Sequence, residues 1–433
     1  KWMNSLTQAD PYVKQVTSLG DNHEVVAKED IRNTEGISLV KRGTRIDSSL
    51  YERLVLHKLL RPLDESLSVA DMVSPLGLVV DAKRLLASEP ALPQVVDTRS
   101  IQRDLLPPLG EIRLEHPLAF KLTVCREQSI ERYHHLIRVA LIALYTASRL
   151  RWSRDDVQIL ATAAIFHDLG ELHLDPSLFD RFRLLTFKER RQIYTHPTIA
   201  FLILKEFSAY HPRISQVVHQ HHERWDGSGY PAGLAGDDVL PAARLLGAAE
   251  LLAVIGLERN KTGSGLFSIV DVLNLNTGRF GSEFILPLIE AAKHLDRDLP
   301  VSSSHGAVNR TALSVRLNLL KEILQEAKEI DMAGQEEVAD FISSQLRRLA
   351  EMANRCGIDL NAPAELMTYL GDDEQALSEW DVLVGEMFFL LQNTVREALR
   401  RWERVEMPER DREPLDAWLR HTEMVLHSTD TQS

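Results

Sequence analysis

The chain carries only two cysteines in 433 residues, Cys125 and Cys356. Two thiols cannot build a disulfide framework, and their scarcity fits a reducing compartment. No apolar run approaches the ~20 residues that cross a bilayer. The opening residues KWMNSLTQADPYVK contain no apolar signal-peptide core, so the expectation is a cytoplasmic protein with no membrane span. There is no tandem repeat, low-complexity tract, phosphate-cradling glycine-rich loop, Ser-His-Asp set or CxxC pair in a fitting context. Positive charge is also short: 50 Lys and Arg against 63 Asp and Glu leave a net charge of −13. A nucleic-acid polymer or an anionic membrane would be repelled overall, whereas a small phosphate ligand in a local pocket stays compatible.

With 44% hydrophobic and 26% charged residues, the chain can fill two or three domains. Between His23 and Ile46, β-branched residues punctuated by Gly36 and Gly43 predict short strands or a hairpin. Ser48 and Ser49 then precede Leu50, Leu54, Val55 and Leu59 at helical spacing, which predicts a capped helix. Residues 62 to 120 have weak periodicity and are assigned helices only loosely. From Glu131 the pattern is helical. VQILATAAIFHDL (157–169) reads as a core helix ending at Gly170 in a left-handed cap. Another apolar helix is expected near 284–293. Beyond a polar link, three stripes predict a helical bundle or dimerising arm: Leu313, Leu317, Leu320 and Leu324; Val338, Phe341, Ile342, Leu346 and Leu349; and Trp380, Leu383, Val384, Met387, Phe388, Leu391 and Val395. The expected fold is mainly α, divided at 1–118, 119–296 and 297–433, with a small α+β module first and a helical bundle last.

Nine of the sixteen histidines fall between residues 134 and 222. Glu131 and His135, four apart, share a helix face. His167 and Asp168 sit at the end of an apolar helix, where a buried carboxylate needs a partner, and such a pair can serve two neighbouring metals bridged by the carboxylate. His196 precedes Pro197 at the start of another apolar helix, and His221 and His222 are adjacent. An imidazole and carboxylate set without thiolate suits iron, manganese, zinc or nickel in a reactive site better than a structural zinc site. Two bridged ions clamping a phosphoryl oxygen is the logic of a metal-dependent phosphodiesterase. His134, His173, His211 and His219 read as surface or supporting residues.

HDLGE (167–171), His196-Pro197 and HHERWDGSGYP (221–231) together resemble the HD-GYP domain, a branch of the HD phosphohydrolase superfamily, over about residues 120–295. The resemblance implies an all-helical metal-binding domain at 119–296. It also implies two or three divalent ions, commonly iron or manganese, and hydrolysis of cyclic di-GMP to the linear dinucleotide or GMP by a metal-bridging hydroxide. In YHHLIRVA, His135 with Arg138 matches the first metal-binding histidine, and Glu131 falls where trinuclear members have a glutamate. His167, Asp168, His196, His221 and His222 match further ligands, with His167 and Asp168 as the catalytic pair. Glu250, in RLLGAAE, holds the place of the family's last ligand, an aspartate. Arg259 stands where an RPYR-like phosphate-binding motif begins, and Lys261 offers a nearby cation. Glu171 replaces a lysine that contacts substrate phosphate. The Gly229-Tyr230-Pro231 loop is implied to meet partner proteins, including cyclic-di-GMP synthases, and a homodimer is an expected assembly. Glu171, Glu250 and the absent remainder of RPYR keep a second reading open: a regulatory module that binds a cyclic dinucleotide or a protein without turnover. A third is an HD hydrolase for a different cyclic dinucleotide or phosphoester.

Overall fold

In the computed structural model, the structure describes residues 11–89, 91–96, 100–179, 187–262, 269–298, 310–329, 336–355, 358–371 and scattered positions from 373 to 425. Residues 1–258 with 277–295 form one compact unit, and 259–276 with 296–433 form a second. The three-part division at 118 and 296 remains a proposal beside this one.

The first unit opens with α1 (Pro11–Asn22) and four short strands: β1 (Val25–Ala27), β2 (Ile31–Arg32), β3 (Ser38–Val40) and β4 (Leu67–Val69). β2 pairs antiparallel with β3, Ile31 opposite Val40. β1 pairs instead with β4, Val25 opposite Val69. β4 lies in the stretch expected to be helical, because three residues are too few to show a period-two pattern. The helix start near residue 48 is capped by Asp47, whose side chain accepts from Ser49 N, not by either serine. Three cap formers stand in a row there, and the extended backbone at Asp47 selects it.

Five long helices then carry the core: α2 (Pro75–Ser88), α3 (His116–Gln128), α4 (Ile130–Arg149), α5 (Arg154–Phe166) and, after a connecting segment, α6 (His196–Lys205). α7 (Pro212–Gln220), α8 (Pro241–Thr262) and α9 (Ser282–Asp298) follow. Ser129 caps α4 by accepting from Arg132 N, and Ser153 caps α5 by accepting from Asp156 N. α5 is buried around its whole circumference from Ile159 to Phe166, its one polar residue there, Thr162, donating back to Gln158 O, so it sits in the centre with α4 and α7 packed along it.

The N-terminal helix reaches the region that holds the histidines. Gln15 Nε2 donates to Leu172 O at 2.8 Å. Buried Lys121 lies 3.3 Å from Asp64 Oδ2, 3.2 Å from His173 Nε2 and 3.8 Å above the Tyr12 ring. A buried ammonium is tolerated only with such a full set of partners. The node ties α1, α3 and the residues after Asp168 together.

In the second unit, α10 (Arg310–Glu329) buries Leu313, Leu317, Leu320 and Leu324, as expected. α11 (Glu336–Arg355) buries Val338, Phe341, Ile342 and Leu349, and Leu346 is half-buried. Val384, Met387, Phe388, Leu391 and Val395 are helical and buried, and Trp380 is helical and half-buried. Leu383 and Cys356 lie outside the described residues. Cys125 is buried, and burial pushes its thiol up to about 12, which makes it inert at neutral pH. Among the described residues no helix is long and apolar enough to cross a membrane.

Candidate metal centre

Helix ends build the site. α5 stops at Phe166, and His167 and Asp168 follow immediately. A 3-10 turn at Leu169–His173 then brings the chain against α6, which begins at His196. α7 ends at Gln220, just before His221 and His222. α4 supplies His135, one turn in from its start.

A helix end leaves backbone carbonyls without partners, and the histidines use them. Nδ1 of His167 donates to Ala164 O at 2.8 Å, that of His196 to Ile193 O at 2.7 Å, and that of His221 to Val218 O at 2.6 Å. Each bond places a proton on Nδ1 and leaves Nε2 as the atom that would meet a metal. The three Nε2 atoms point inward.

They converge on Asp168. Its Oδ1 lies 3.2 Å from His196 Nε2 and 3.5 Å from His221 Nε2. Its Oδ2 lies 3.1 Å from His167 Nε2 and 3.8 Å from His135 Nε2. His196 Nε2 is in turn 3.1 Å from His222 Nε2 and 3.3 Å from His221 Nε2. Two donor groups result, each with its atoms within 4.8 Å of one another: His135, His167 and Asp168, and Asp168, His196, His221 and His222. Asp168 belongs to both. His167 Nε2 and Asp168 Oδ1 are buried with no hydrogen-bond partner, so the short separations to them are not aligned hydrogen bonds. Orphaned buried polar atoms cost about 1–3 kcal/mol each. A divalent cation between these atoms would remove that cost, and the nitrogen and oxygen donor set suits one.

The electrostatics agree. Burial raises the Asp168 carboxyl, but the surrounding imidazoles, His167 first, outweigh it and hold it well below the usual range. Burial lowers His167, yet the neighbouring carboxylate wins and lifts it to about 9. Burial dominates at His135 and His221, pushed down to about 4 and about 3, and drives His222 well below its ordinary value. Glu171 and Glu250 are both raised, first by burial and then by repulsion from Asp168. The metal-free site therefore holds more buried negative charge than it can keep ionised.

The remaining expected residues fall as follows. Glu131 is exposed in the first turn of α4 and contributes to neither donor group. Glu171 is half-buried in the 3-10 turn, its Oε2 3.9 Å from Arg132 Nη1. Glu250 lies on α8 with Oε2 3.7 Å from His222 Nδ1. Arg259 and Lys261 are within α8, but their side chains lie outside the described residues. Gly229 is buried, and the Tyr230 ring stacks on His222 at 4.5 Å and 23°. The loop of Gly229, Tyr230 and Pro231 thus turns its aromatic ring toward the histidines. Arg138 is buried in a two-bond pair with Glu89 at 2.9 and 2.8 Å, bracing α4. His211 caps α7, His219 meets Thr198, His173 meets Lys121 and His134 lies beside Tyr133, all outside the donor groups.

Gly170 is not a left-handed cap, since its φ is not positive. A Cβ there would stand 2.0 Å from His196 O, so the residue is glycine to let the 3-10 turn touch the start of α6. Sequence reasoning also missed Glu223. It is 1% exposed and accepts from Ala232 N at 2.6 Å, Gly233 N at 3.1 Å and Leu234 N at 2.9 Å, which fixes the loop after Pro231. A glutamate directly after two histidines was the available signal.

Residues 113–281 match the family model described as HD domain. The chain is 32% identical over 117 residues to the cyclic di-GMP phosphodiesterase response regulator RpfG of Xanthomonas campestris, covering 27% of this chain and 31% of that protein. It is 30% identical over 125 residues to 3'3'-cGAMP-specific phosphodiesterase 3 of Vibrio cholerae, covering 29% and 27%. A cyclic di-GMP phosphodiesterase of Thermotoga maritima is 32% identical over 108 residues, covering 25% and 29%. The chain thus spans less than a third of the length of these three relatives. With the family match, these relatives and the paired donor groups around Asp168 in hand, residues 113–281 form an HD domain that resembles those of cyclic di-GMP phosphodiesterases.

Proposed function

We propose that this protein is a metal-dependent phosphodiesterase that hydrolyses cyclic di-GMP to the linear dinucleotide or GMP. The observation that carries the reading is Asp168, each of whose oxygens faces two imidazoles. His135, His167 and Asp168 would hold one divalent ion, and Asp168, His196, His221 and His222 a second. Ions of the iron or manganese kind would supply Lewis-acid charge stabilisation and an activated water. The chain supplies rigidity. Backbone carbonyls lock His167, His196 and His221, and Tyr230 covers the face of His222, so the donors need little reorganisation. The substrate class follows the named activities of the relatives, which include cyclic di-GMP and 3'3'-cGAMP phosphodiesterases.

The test is metal analysis of anaerobically purified protein, then incubation of iron- or manganese-loaded protein with cyclic di-GMP and 3'3'-cGAMP. Two or more ions per chain and product formation abolished by His167→Ala are expected. Absence of bound metal, or turnover untouched by His167→Ala, defeats the reading. Glu171 favours one competitor. Glu171, beside Asp168, offers a bound phosphodiester no cation and would repel it whenever the carboxyl ionises, as in a module that binds the dinucleotide without cleaving it. Saturable binding of cyclic di-GMP by the metal-loaded protein, with no product, would select that competitor.

A further inference from the structure

Among the histidines of the four-donor group, His222 is held differently. His196 and His221 give their Nδ1 protons to backbone carbonyls, whereas among the described residues His222 makes no such bond. Its Nε2 faces inward, 3.1 Å from His196 Nε2. Its Nδ1 faces the other way, toward Glu250 Oε2 at 3.7 Å. That oxygen is buried and has no hydrogen-bond partner, and Glu250 contributes no atom to either donor group.

The approach of α8 explains the placement. A Cβ at Gly247 would stand 2.6 Å from His221 O, so the absent side chain lets α8 press against the two histidines. Glu250 is three residues on, on the same helix face, and its Oε2 comes to 3.7 Å from His222 Nδ1. Tyr230 closes the ring's flat side.

We propose that Glu250 is a positioning residue, not a metal ligand: its carboxylate accepts the Nδ1 proton of His222 and so directs the Nε2 lone pair into the site. The inference rests on the metal-centre reading above. A movement of less than about 1 Å brings the pair to hydrogen-bond length. A carboxylate on the outer nitrogen fixes the tautomer and makes the inner nitrogen a better donor. The backbone carbonyls of Ile193 and Val218 do the same for His196 and His221.

The experiment titrates the full-length, metal-stripped protein with manganese(II) alone and reads stoichiometry and affinity for wild type, Glu250→Gln, Glu250→Ala and His222→Ala. Glutamine keeps an acceptor for the Nδ1 proton but is a poor ligand. Glu250→Gln should keep the wild-type stoichiometry with affinity within about tenfold, and Glu250→Ala should keep it with affinity about 10–100-fold weaker. His222→Ala should lose one ion. If Glu250→Gln loses an ion as His222→Ala does, Glu250 is a ligand and the inference is overturned alone. It is equally overturned if Glu250→Ala binds like wild type. If wild type takes up no manganese, the metal-centre reading falls and this inference with it.

Discussion

Gly170→Ala is the sharpest test of how the site is assembled. The added methyl would lie 2.0 Å from His196 O, 2.8 Å from its carbonyl carbon and 2.9 Å from its Cα, where real Cβ contacts below 3.0 Å are essentially never seen. All three are backbone atoms, so no side chain can swing away; the start of α6 must retreat by about 1 Å or the 3-10 turn must unwind. Overpacking of this kind costs about 1–3 kcal/mol. The functional cost should exceed the stability cost, because the retreat carries His196 Nε2 away from Asp168 Oδ1 at 3.2 Å and from His222 Nε2 at 3.1 Å. A displacement of that size can lower a rate by about 10²-fold. The assay compares melting temperature, manganese affinity and cyclic-dinucleotide turnover for Gly170→Ala and a control, Gly278→Ala, where nothing stands within 4 Å of the added carbon. The control should be near neutral in all three. If Gly170→Ala melts and binds manganese like wild type, the close contact does not set the position of His196 and the reasoning fails.

Further predictions come from the same geometry. His167 is lifted to about 9 from an ordinary 6.5, and Glu171 and Glu250 are raised beside it, so metal binding should release at least one proton per chain and tighten as pH rises toward about 9. Calorimetry in buffers of different ionisation enthalpy reads the proton count, and a count of zero contradicts the assignment. Because the folded value of His167 is raised, the stability this group gives the metal-free protein is complete below pH 6.5 and is lost as pH rises through about 9; metal-free melting temperature should fall across that window while metal affinity climbs. Arg138→Ala strands Glu89 beside a buried site and should destabilise by about 3 kcal/mol, measured by denaturant unfolding; a loss under about 1 kcal/mol would mean that water replaces the pair. Glu223→Ala removes the acceptor of three backbone N–H groups. Amide exchange at Ala232, Gly233 and Leu234 should speed up about tenfold, the equivalent of ~1.4 kcal/mol, and unchanged protection there would show that the loop is held by something else.

The residue types of the site were legible in the sequence, and their arrangement was not. His135, His167, Asp168, His196, His221 and His222 were singled out by the resemblance of YHHLIRVA, HDLGE, His196-Pro197 and HHERWDGSGYP to one family, and the structure brings them together. Which nitrogen each uses depends on rotamers and on where a helix stops, and neither has a one-dimensional signal. The strand at Leu67–Val69 escaped notice because pairing with Val25–Ala27 is decided forty residues away. At Gly170 the sequence shows a glycine after an apolar helix, for which a left-handed cap and a close backbone approach look the same. Only the position of His196 O separates them. Glu171 was legible as a charge out of place, but its partner was not. Arg132, at 3.9 Å, is brought in from another helix.

The use of helix ends divides the histidines within each donor group. At His167, His196 and His221 the orienting acceptor is a backbone carbonyl that no side-chain substitution removes. His135 and His222 lack that support among the described residues, and at His222 the nearest outer partner is a replaceable side chain on α8. Variation on α8 should therefore tune the four-donor group, through His222, while leaving the anchor formed by His167 and Asp168 intact. In a series of substitutions at Glu250, the affinity for one ion should move while the other stays fixed. Equal weakening of both ions would mean that Asp168 transmits the change across the centre and that the two groups respond as a single unit.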